Sequence, residues 1–297
     1  MDTDRDKKFL NALNSVPGVG YDTMKKLSAF FSSYEKVWGA SQHALTESGI
    51  GENIAAAIVK ERLSINPDKE MERLVKEGVR LIEAHEPDFP ELLKEIPAPP
   101  QWLYIKGKLP ESSQALGVVG SRKATSYGKE ATSRIIAGLG HIKNLVIVSG
   151  CAIGIDKEAH RSALTHGLTT VAVLGSGLDT NSFYPSIHLG LAKEIVDKNG
   201  ALISEYPFGM PAFKKNFIQR NRLISGLTRG VLVVEAAQKS GALITAHFAL
   251  EQGRAVMAIP GSIFSPYAAG VHGLLRQGAR LVESAEDVID ELGFEAA

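Results

Sequence analysis

The sequence has a single cysteine, no net charge and no long apolar run. One thiol, Cys151, cannot form an intramolecular disulfide, and zinc or iron–sulfur sites built on cysteine need several thiolates, so both are excluded. No stretch approaches the about 18 consecutive apolar residues of a membrane-spanning helix. The charged N-terminus also lacks the apolar core of a signal peptide. We therefore expect a cytoplasmic protein with no membrane partner.

Nucleotide and catalytic motifs are also missing. The chain has no G-x-x-x-x-G-K-[ST] phosphate loop, and Gly175-Ser176-Gly177 stops short of a G-x-G-x-x-G dinucleotide fingerprint. Asp156 and His160 are spaced i, i+4 as a metal pair would be, but no third ligand accompanies them. Cys151 has no partner base and is expected to be a buried structural residue. We predict no cofactor, no metal site and no catalytic residues.

The charge balance bears on how the chain could bind nucleic acid. Lys and Arg total 33, and Asp and Glu also total 33. This equality argues against binding spread over the whole surface, but it permits a local basic patch. The 44% of hydrophobic residues in 297 is enough to form one large domain and a small one.

Residues 1–66 are predicted to form a small all-helical domain. Pro17-Gly18-Val19-Gly20 and Ser48-Gly49-Ile50-Gly51 each precede a helical pattern, as in a duplicated helix-hairpin-helix (SAM-like) unit. Such a unit could hold DNA phosphates at its turns, which Lys25 and Lys26 favour, or it could dock another protein. The sequence leaves both alternatives open.

Residues 67–297 are predicted to form an extended Rossmann-like α/β domain with a mostly parallel sheet. Short apolar runs rich in β-branched residues alternate with stretches long enough for crossover helices. The runs are Leu116–Val119, Leu145–Val148, Thr170–Leu174, Ala201–Ser204, Val231–Val234, Val256–Ile259 and Arg280–Val282. Two earlier strands are predicted at Gly78–Ile82 and Leu103–Ile105.

Gly/Ser pairs follow several of these strands, where α/β sheets bind ligands. The pairs are Gly120-Ser121, Ser149-Gly150, Gly175-Ser176 and Ser240-Gly241. Each pair alone is most simply a strand–helix turn with a serine cap. Several at one sheet edge favour a surface for anionic oxygens, such as phosphates.

The segment Tyr206–Val234 is basic, contains no acidic residue and carries interleaved aromatic residues. This combination is typical of a single-stranded nucleic-acid surface, where cations follow phosphates and rings stack on bases. Arg220 and Arg222 would lie about 200° apart around a helix and could not both face one ligand. One of them is expected to pair internally, for example with a glutamate at a strand end.

Several motifs in the same order resemble the DNA-processing protein A family (DprA/Smf). They are Gly120–Arg122, Ser149–Asp156, Val173–Asp179 with Tyr184-Pro185, Phe217–Leu227, Val234–Ala236 with Lys239–Ala246, and Ala258–Gly261. The resemblance departs at Ile187-His188, where the family usually has Glu-Asn, and at Gly270-Val271-His272, where it often has Gly-Thr-Asn. It also implies that the winged helix many members carry at the C-terminus is absent here.

The resemblance implies a non-enzymatic homodimer that binds single-stranded DNA without a cofactor. It would protect incoming strands in natural transformation and help load the RecA recombinase on them. Arg122 and Lys214 would contact the strand, Phe217 would stack near a base, and Arg220-Asn221-Arg222 would build the site. The full set of implied DNA-binding residues is Ser121, Arg122, Ser149, Gly150, Gly175, Lys214, Lys215, Phe217, Arg220, Asn221, Arg222, Lys239, Ser240 and Gly241.

A second hypothesis is an enzyme that acts on a nucleotide or a sugar phosphate. It would use the same Gly/Ser turns for one phosphate, with Glu205 or Glu235 as general base. The breadth of the basic segment exceeds what one phosphate needs and argues against it.

Overall fold

A computed structural model describes residues 3–111 and 114–296, with side chains from residue 6 onward. The first part of the chain is helical. Its helices are α1 (Thr3–Asn14), α2 (Tyr21–Phe30), α3 (Tyr34–Gly39), α4 (Gln42–Glu47), α5 (Glu52–Glu61) and α6 (Pro67–Lys76).

The two glycine turns of the predicted helical hairpins lie where the sequence places them. Gly18 and Gly49 have φ values of +87° and +83°, a conformation that residues with a Cβ rarely adopt. Gly20 and Gly51 then cap the N-termini of α2 and α5. The Lys26 Nζ donates to the carbonyl of Gly49 at 2.9 Å, so a cation of the first hairpin binds the second hairpin.

In the described residues, nine strands form one sheet in the order β1-β2-β6-β5-β4-β3-β7-β8-β9. Strands β1 and β2 are antiparallel additions at one edge. The other strands, β3 to β9, are all parallel to their neighbours among themselves. Every predicted strand is present, within about two residues at each end. The strands are β1 (Val79–Glu83), β2 (Trp102–Gly107), β3 (Ala115–Val119), β4 (Val146–Ser149), β5 (Thr169–Val173), β6 (Ala201–Ser204), β7 (Gly230–Val233), β8 (Ala255–Ala258) and β9 (Arg280–Leu281).

Helices cover both faces of the sheet, which explains why its strands read as continuous apolar runs. One face packs against side chains of α11, α12 and α13, and the other against side chains of α8, α9 and α14. The fold is therefore the predicted Rossmann-like α/β class. The helices are α7 (Glu91–Lys94), α8 (Ser126–Gly138), α9 (Ile155–Thr165), α10 (Leu189–Asp197), α11 (Lys214–Gly226), α12 (Gly241–Glu251), α13 (Ala269–Arg276) and α14 (Ala285–Leu292).

The strand order reverses between β3 and β7, so a crevice opens there at the carboxyl ends of the strands. From β3 the chain adds strands β4 to β6 on one side, and from β7 it adds β8 and β9 on the other. In open α/β sheets this switch point is where ligands bind. The basic segment predicted to bind nucleic acid begins just after β6 and continues through α11, so it starts from this same edge.

A buried polar network joins the N-terminal helices to the sheet. Asn14 Nδ2 donates to Tyr104 Oη and to the carbonyl of Glu205, both at 3.1 Å. The Tyr104 hydroxyl donates to Asn11 Oδ1 at 2.9 Å, and Trp102 Nε1 donates to the Glu205 carbonyl at 3.1 Å. Apolar residues of α1, α2 and α5 share one core with the outer strands. The helical segment is thus packed against the sheet.

Candidate nucleic-acid interface

Arg220 fastens α11 to the carboxyl ends of β4 and β5. Its guanidinium donates to the carbonyls of Gly150, at 2.7 Å, and Val173, and the residue is only 3% exposed. Gly150 allows this approach, because a Cβ there would lie 2.6 Å from the nearest guanidinium nitrogen. The buried Asp156 carboxylate lies nearby and favours the charged guanidinium. Arg220 therefore positions the site from within the protein and does not itself face solvent.

Arg222 projects from the other side of α11 and binds Glu205. Its Nη2 lies 2.6 Å from Glu205 Oε1, and both side chains are nearly buried. Because Glu205 directly follows β6, this pair confirms the expected internal partner at a strand end. The structure goes further than the expectation, since both arginines of the motif are bound within the protein.

Phe217 lies at the centre of the exposed part of the site. The Arg122 Cζ is 5.4 Å from its ring centroid, the Arg220 Cζ is 5.9 Å away, and the Tyr184 ring centroid lies at 5.6 Å. Gly175 makes room for the ring, because a Cβ there would be 3.0 Å from Phe217 Cδ1. The Phe217 ring is thus fixed between cations and remains partly open to solvent.

Exposed cations follow β3 and begin α11, and both of these stretches contribute side chains to the cluster around this ring. Arg122 and Lys123 follow β3, while Lys214 and Lys215 begin α11, and all four side chains are exposed. Lys214 precedes Phe217 by three residues and shares its helix face. Lys239 is also exposed, on the loop that Asn221 Nδ2 contacts through the Gly241 carbonyl at 3.4 Å.

Five of the predicted DNA-binding residues are buried: Arg220, Ser121, Ser149, Gly150 and Gly175. The structure does not support direct DNA contact for the last three. Ser149 is fully buried, and its hydroxyl donates to the Val118 carbonyl at 2.6 Å. Gly150 is covered by Arg220, and Gly175 is covered by Phe217. Small residues follow these strands because α11 must pack there, so their surfaces are not open to a ligand.

The serine hydroxyls of the other two turns bind nearby backbone N–H groups. Ser121 Oγ accepts from the Lys123 backbone N–H at 3.0 Å, and Ser240 Oγ accepts from Ala242 N–H at 3.3 Å at the start of α12. Ser240 is thus a helix cap, as the simple interpretation expects, whereas Ser121 closes the turn after β3 and Thr125 caps α8. Gly241 remains exposed beside Lys239.

Glu235 fills the position at the switch point where many α/β folds hold a phosphate. It follows β7, and its carboxylate accepts from Thr125 N–H at 2.9 Å and from the Thr125 hydroxyl at 2.6 Å. Thr125 caps α8, whose N-terminus would otherwise attract an anion. Gly128 leaves space for the carboxylate, since a Cβ there would lie 2.3 Å from Glu235 Oε2. Nothing in the sequence signals this role, and Glu235 is expected there only as a general base of the enzyme alternative.

The other reactive groups near the site are buried. Burial raises the pKa of the Cys151 thiol to about 12 and lowers the pKa of His160 to about 3. The Thr170 hydroxyl donates to the Ile147 carbonyl and lies 2.7 Å from His160 Nδ1, so its oxygen accepts a hydrogen bond from the Nδ1–H group. The neutral His160 therefore supports β4 and β5, and Cys151 is the buried structural cysteine that was predicted.

The described part of the chain holds neither a cluster of metal-ligating side chains nor a helix able to span a membrane. No three His, Cys, Asp or Glu side chains in residues 3–111 and 114–296 are grouped to hold a metal ion. Within the same residues, no helix combines the length and the apolar character needed to cross a bilayer.

Comparison with known proteins relates this chain to a family. A family model described as DNA recombination-mediator protein A matches residues 80–293. Protein Smf from Synechocystis sp. is 38% identical over 289 residues, which cover 95% of this chain and 71% of that protein.

Two solved structures are similar over most of their length. The X-ray structure of DNA processing protein A from Streptococcus pneumoniae has a TM-score of 0.78 and 33% identity, covering 98% of this chain and 99% of its own. DNA processing protein A from Helicobacter pylori, described for its single-stranded DNA binding mode, has a TM-score of 0.65 and 27% identity. It covers 73% of this chain and 97% of its own.

Proposed function

Because this chain belongs to the DNA recombination-mediator protein A family, we propose that it binds single-stranded DNA at the carboxyl edge of its sheet. There it acts as a recombination mediator. The observation that carries the proposal is the Phe217 ring, fixed beside Arg122 and partly exposed among other cations. A ring among cations serves a flexible strand, because bases stack on the ring while the cations follow the phosphates.

The contact set we propose is smaller than the sequence suggested. Its members are exposed residues that follow β3, begin α11, or lie just before and at the start of α12. They are Arg122, Lys214, Lys215, Lys239 and Gly241. Arg220, Arg222 and Asn221 hold α11 and its neighbouring loop in place. The strand would thus meet side chains from three elements that a buried polar framework positions.

The proposal extends to what such a protein does with the strand. Protection of incoming single strands in natural transformation, assembly as a homodimer and loading of the RecA recombinase all rest on the family resemblance. The same is true of a non-catalytic role. Purified chain, a recombinase and a coated single strand in one assay would test the loading step.

The enzyme alternative finds less support in the site. Both carboxylates proposed as general base are engaged, Glu205 by Arg222 and Glu235 by Thr125. Glu205 is held in a nearly buried ion pair, and the exposed cations extend beyond what a single phosphate would need. The site therefore favours DNA binding over an enzyme that acts on a nucleotide or a sugar phosphate.

Charge reversal at the proposed contacts tests the strand position. Lys214→Glu and Arg122→Glu should weaken binding of oligonucleotides of any sequence alike, because they remove phosphate contacts. Each should also lower the slope of log K against log salt by about 0.7, the value for one phosphate on a single strand. Fluorescence anisotropy with labelled oligothymidylate measures both quantities.

A matched control is Lys198→Glu, since Lys198 is exposed at the C-terminus of α10, away from the carboxyl edge. It should leave affinity and slope unchanged. Wild-type affinity in the Lys214→Glu protein would reject the proposed path of the strand.

A further inference from the structure

A cavity of about 560 Å³ lies between the start of α8 and the carboxyl ends of β7 and β8. Its floor is apolar and its walls include two tyrosines, Tyr127 from α8 and Tyr267 from the loop before α13. Its volume falls in the range of about 300–1,000 Å³ that small-molecule sites occupy. The loop that carries Arg122 continues into Thr125 at the cavity wall, so one loop borders both the cavity and the Phe217 cluster.

The charge in this cavity selects against phosphate. The Glu235 carboxylate lines it and already occupies the N-terminus of α8, so a second anion there would be repelled. A carboxylate with two oxygens retains acceptor capacity beyond its two bonds to Thr125. The cavity therefore suits a flat, uncharged group that carries N–H donors.

An exposed apolar tip stands at the mouth of the cavity. Ile263 is 81% exposed and Phe264 is 91% exposed, and both lie between Ser262 and Ser265, which line the cavity. Stacking on bases requires an exposed aromatic ring near cations that hold the phosphates. Phe264 supplies such a ring at the mouth of this cavity, on the same edge of the sheet.

We propose that this cavity is a subsite for one nucleobase of the bound single strand, with Phe264 stacking on a neighbouring base. The phosphates stay outside, on Arg122 and Lys123, while the base enters between Tyr127 and Tyr267 and donates to Glu235. This inference rests on the proposed function, because it requires a strand on the carboxyl edge. The ligand chemistry is the nucleobase, which a free nucleotide could also supply.

Photocrosslinking of the full chain to an oligothymidylate that contains 4-thiothymidine tests the subsite. Mass spectrometry should locate crosslinks both on the peptide of Phe217 and on peptides that carry Tyr127 or Tyr267. Ser262→Trp, which places a large side chain at the rim, should remove the cavity crosslinks and spare those at Phe217. Phe264→Ala should lower affinity about tenfold, within the range measured for one stacked base.

Leu250→Ala is the control for loss of an exposed apolar side chain. Leu250 is 55% exposed near the C-terminus of α12, and that helix begins at the carboxyl edge and runs away from it. Its affinity and crosslinks should match those of the wild type. Melting temperatures of all variants within the error of the wild type would show that each remains folded.

The remaining outcomes overturn the inference in distinguishable ways. Crosslinks confined to the Phe217 peptide would reject the subsite and leave the proposed function intact. Displacement of the cavity crosslinks by thymidine monophosphate at oligonucleotide-like concentrations would assign the cavity to a free nucleotide. A Phe264→Ala protein with altered sedimentation and unchanged affinity would assign the loop tip to contact between copies of the chain. Absence of any oligonucleotide binding would reject both proposals.

Discussion

Arg220 shows how one residue can be essential to a binding surface without being exposed on it. Its guanidinium joins α11 to two strand ends and lies 5.9 Å from the centroid of the Phe217 ring. Removal would leave two buried carbonyls without donors and the Asp156 carboxylate without its nearby cation. Arginine suits this position because its donors lie in a fixed planar fork.

We expect Arg220→Met to lower the free energy of unfolding by about 3 kcal/mol, the usual cost of breaking a buried charged network from one side. Urea unfolding followed by circular dichroism measures the change. Arg276→Met, at an exposed arginine in the last turn of α13, should change it by less than about 0.5 kcal/mol. An Arg220→Met protein as stable as the wild type would contradict the role assigned to this side chain.

His160 should make stability depend on pH. Burial, with smaller effects from His188 and Arg220, lowers its folded pKa to about 3, whereas the unfolded chain binds a proton below about pH 6.5. Unfolding therefore takes up a proton between these values, and stability falls as pH falls through this window. The slope is about 1.4 kcal/mol per pH unit.

His160→Gln isolates this contribution from those of the other histidines. From pH 7 to pH 5 the wild type should lose about 2 kcal/mol more than the variant does. Urea midpoints at several pH values give the comparison. Parallel profiles for the two proteins would show that His160 is charged in the folded state.

At the scale of elements, α14 depends on its first turn. Ser284 and Asp287 form a capping box, and the Asp287 carboxylate accepts from the backbone N–H groups of Glu283 and Ser284 at 2.9 Å. These bonds hold the pKa of Asp287 below its usual value. The helix buries Val288 and Leu292 against the face of the sheet that α8 covers.

The stabilisation from Asp287 should be present above the unfolded pKa and disappear as pH falls through the lower folded pKa. Hydrogen exchange should therefore show α14 opening more readily in acid than at neutral pH, before the sheet does. Asp287→Asn should show the weakened α14 already at pH 7. Equal protection of α14 in the variant and the wild type at pH 7 would contradict this.

The strands and helices were largely predictable, because their pattern is set locally by apolar runs, glycines and caps. The burial of both arginines was only half predictable: helical spacing separates Arg220 from Arg222, but nothing in the spacing shows that each meets a partner. The roles of Gly150, Gly175 and Gly128 were not predictable. Each glycine makes room for a side chain distant in sequence, Arg220, Phe217 or Glu235, so only the folded chain reveals the contact.

At the scale of the whole molecule, the sequence suggests two domains, whereas the structure joins their cores. Leu10, Met24 and Ile58 of the helical segment belong to the same buried cluster as Leu202 of the sheet, and Asn14 binds Tyr104. Contacts of this kind couple the unfolding of the parts they join.

We expect one unfolding transition for the whole chain. The two tryptophans report on its two parts, because Trp38 lies in α3 and Trp102 lies in β2. In each of the Trp38→Phe and Trp102→Phe proteins, the urea midpoint from the remaining tryptophan should coincide with the midpoint from circular dichroism of that same variant. Separate midpoints would show that residues 1–66 unfold independently.

The carboxylate of Glu235 at the start of α8 affects how free nucleotides would compete for this protein in a cell. A cell contains abundant free nucleotides. In a fold of this class, an empty phosphate-binding position at a helix N-terminus would be occupied by them much of the time. Here the chain supplies the anion for that position from its own β7. We expect the protein to bind a DNA strand in preference to a free nucleotide, because the phosphate of the nucleotide finds this position already occupied by Glu235. Its occupancy on a strand would then be independent of the energy state of the cell.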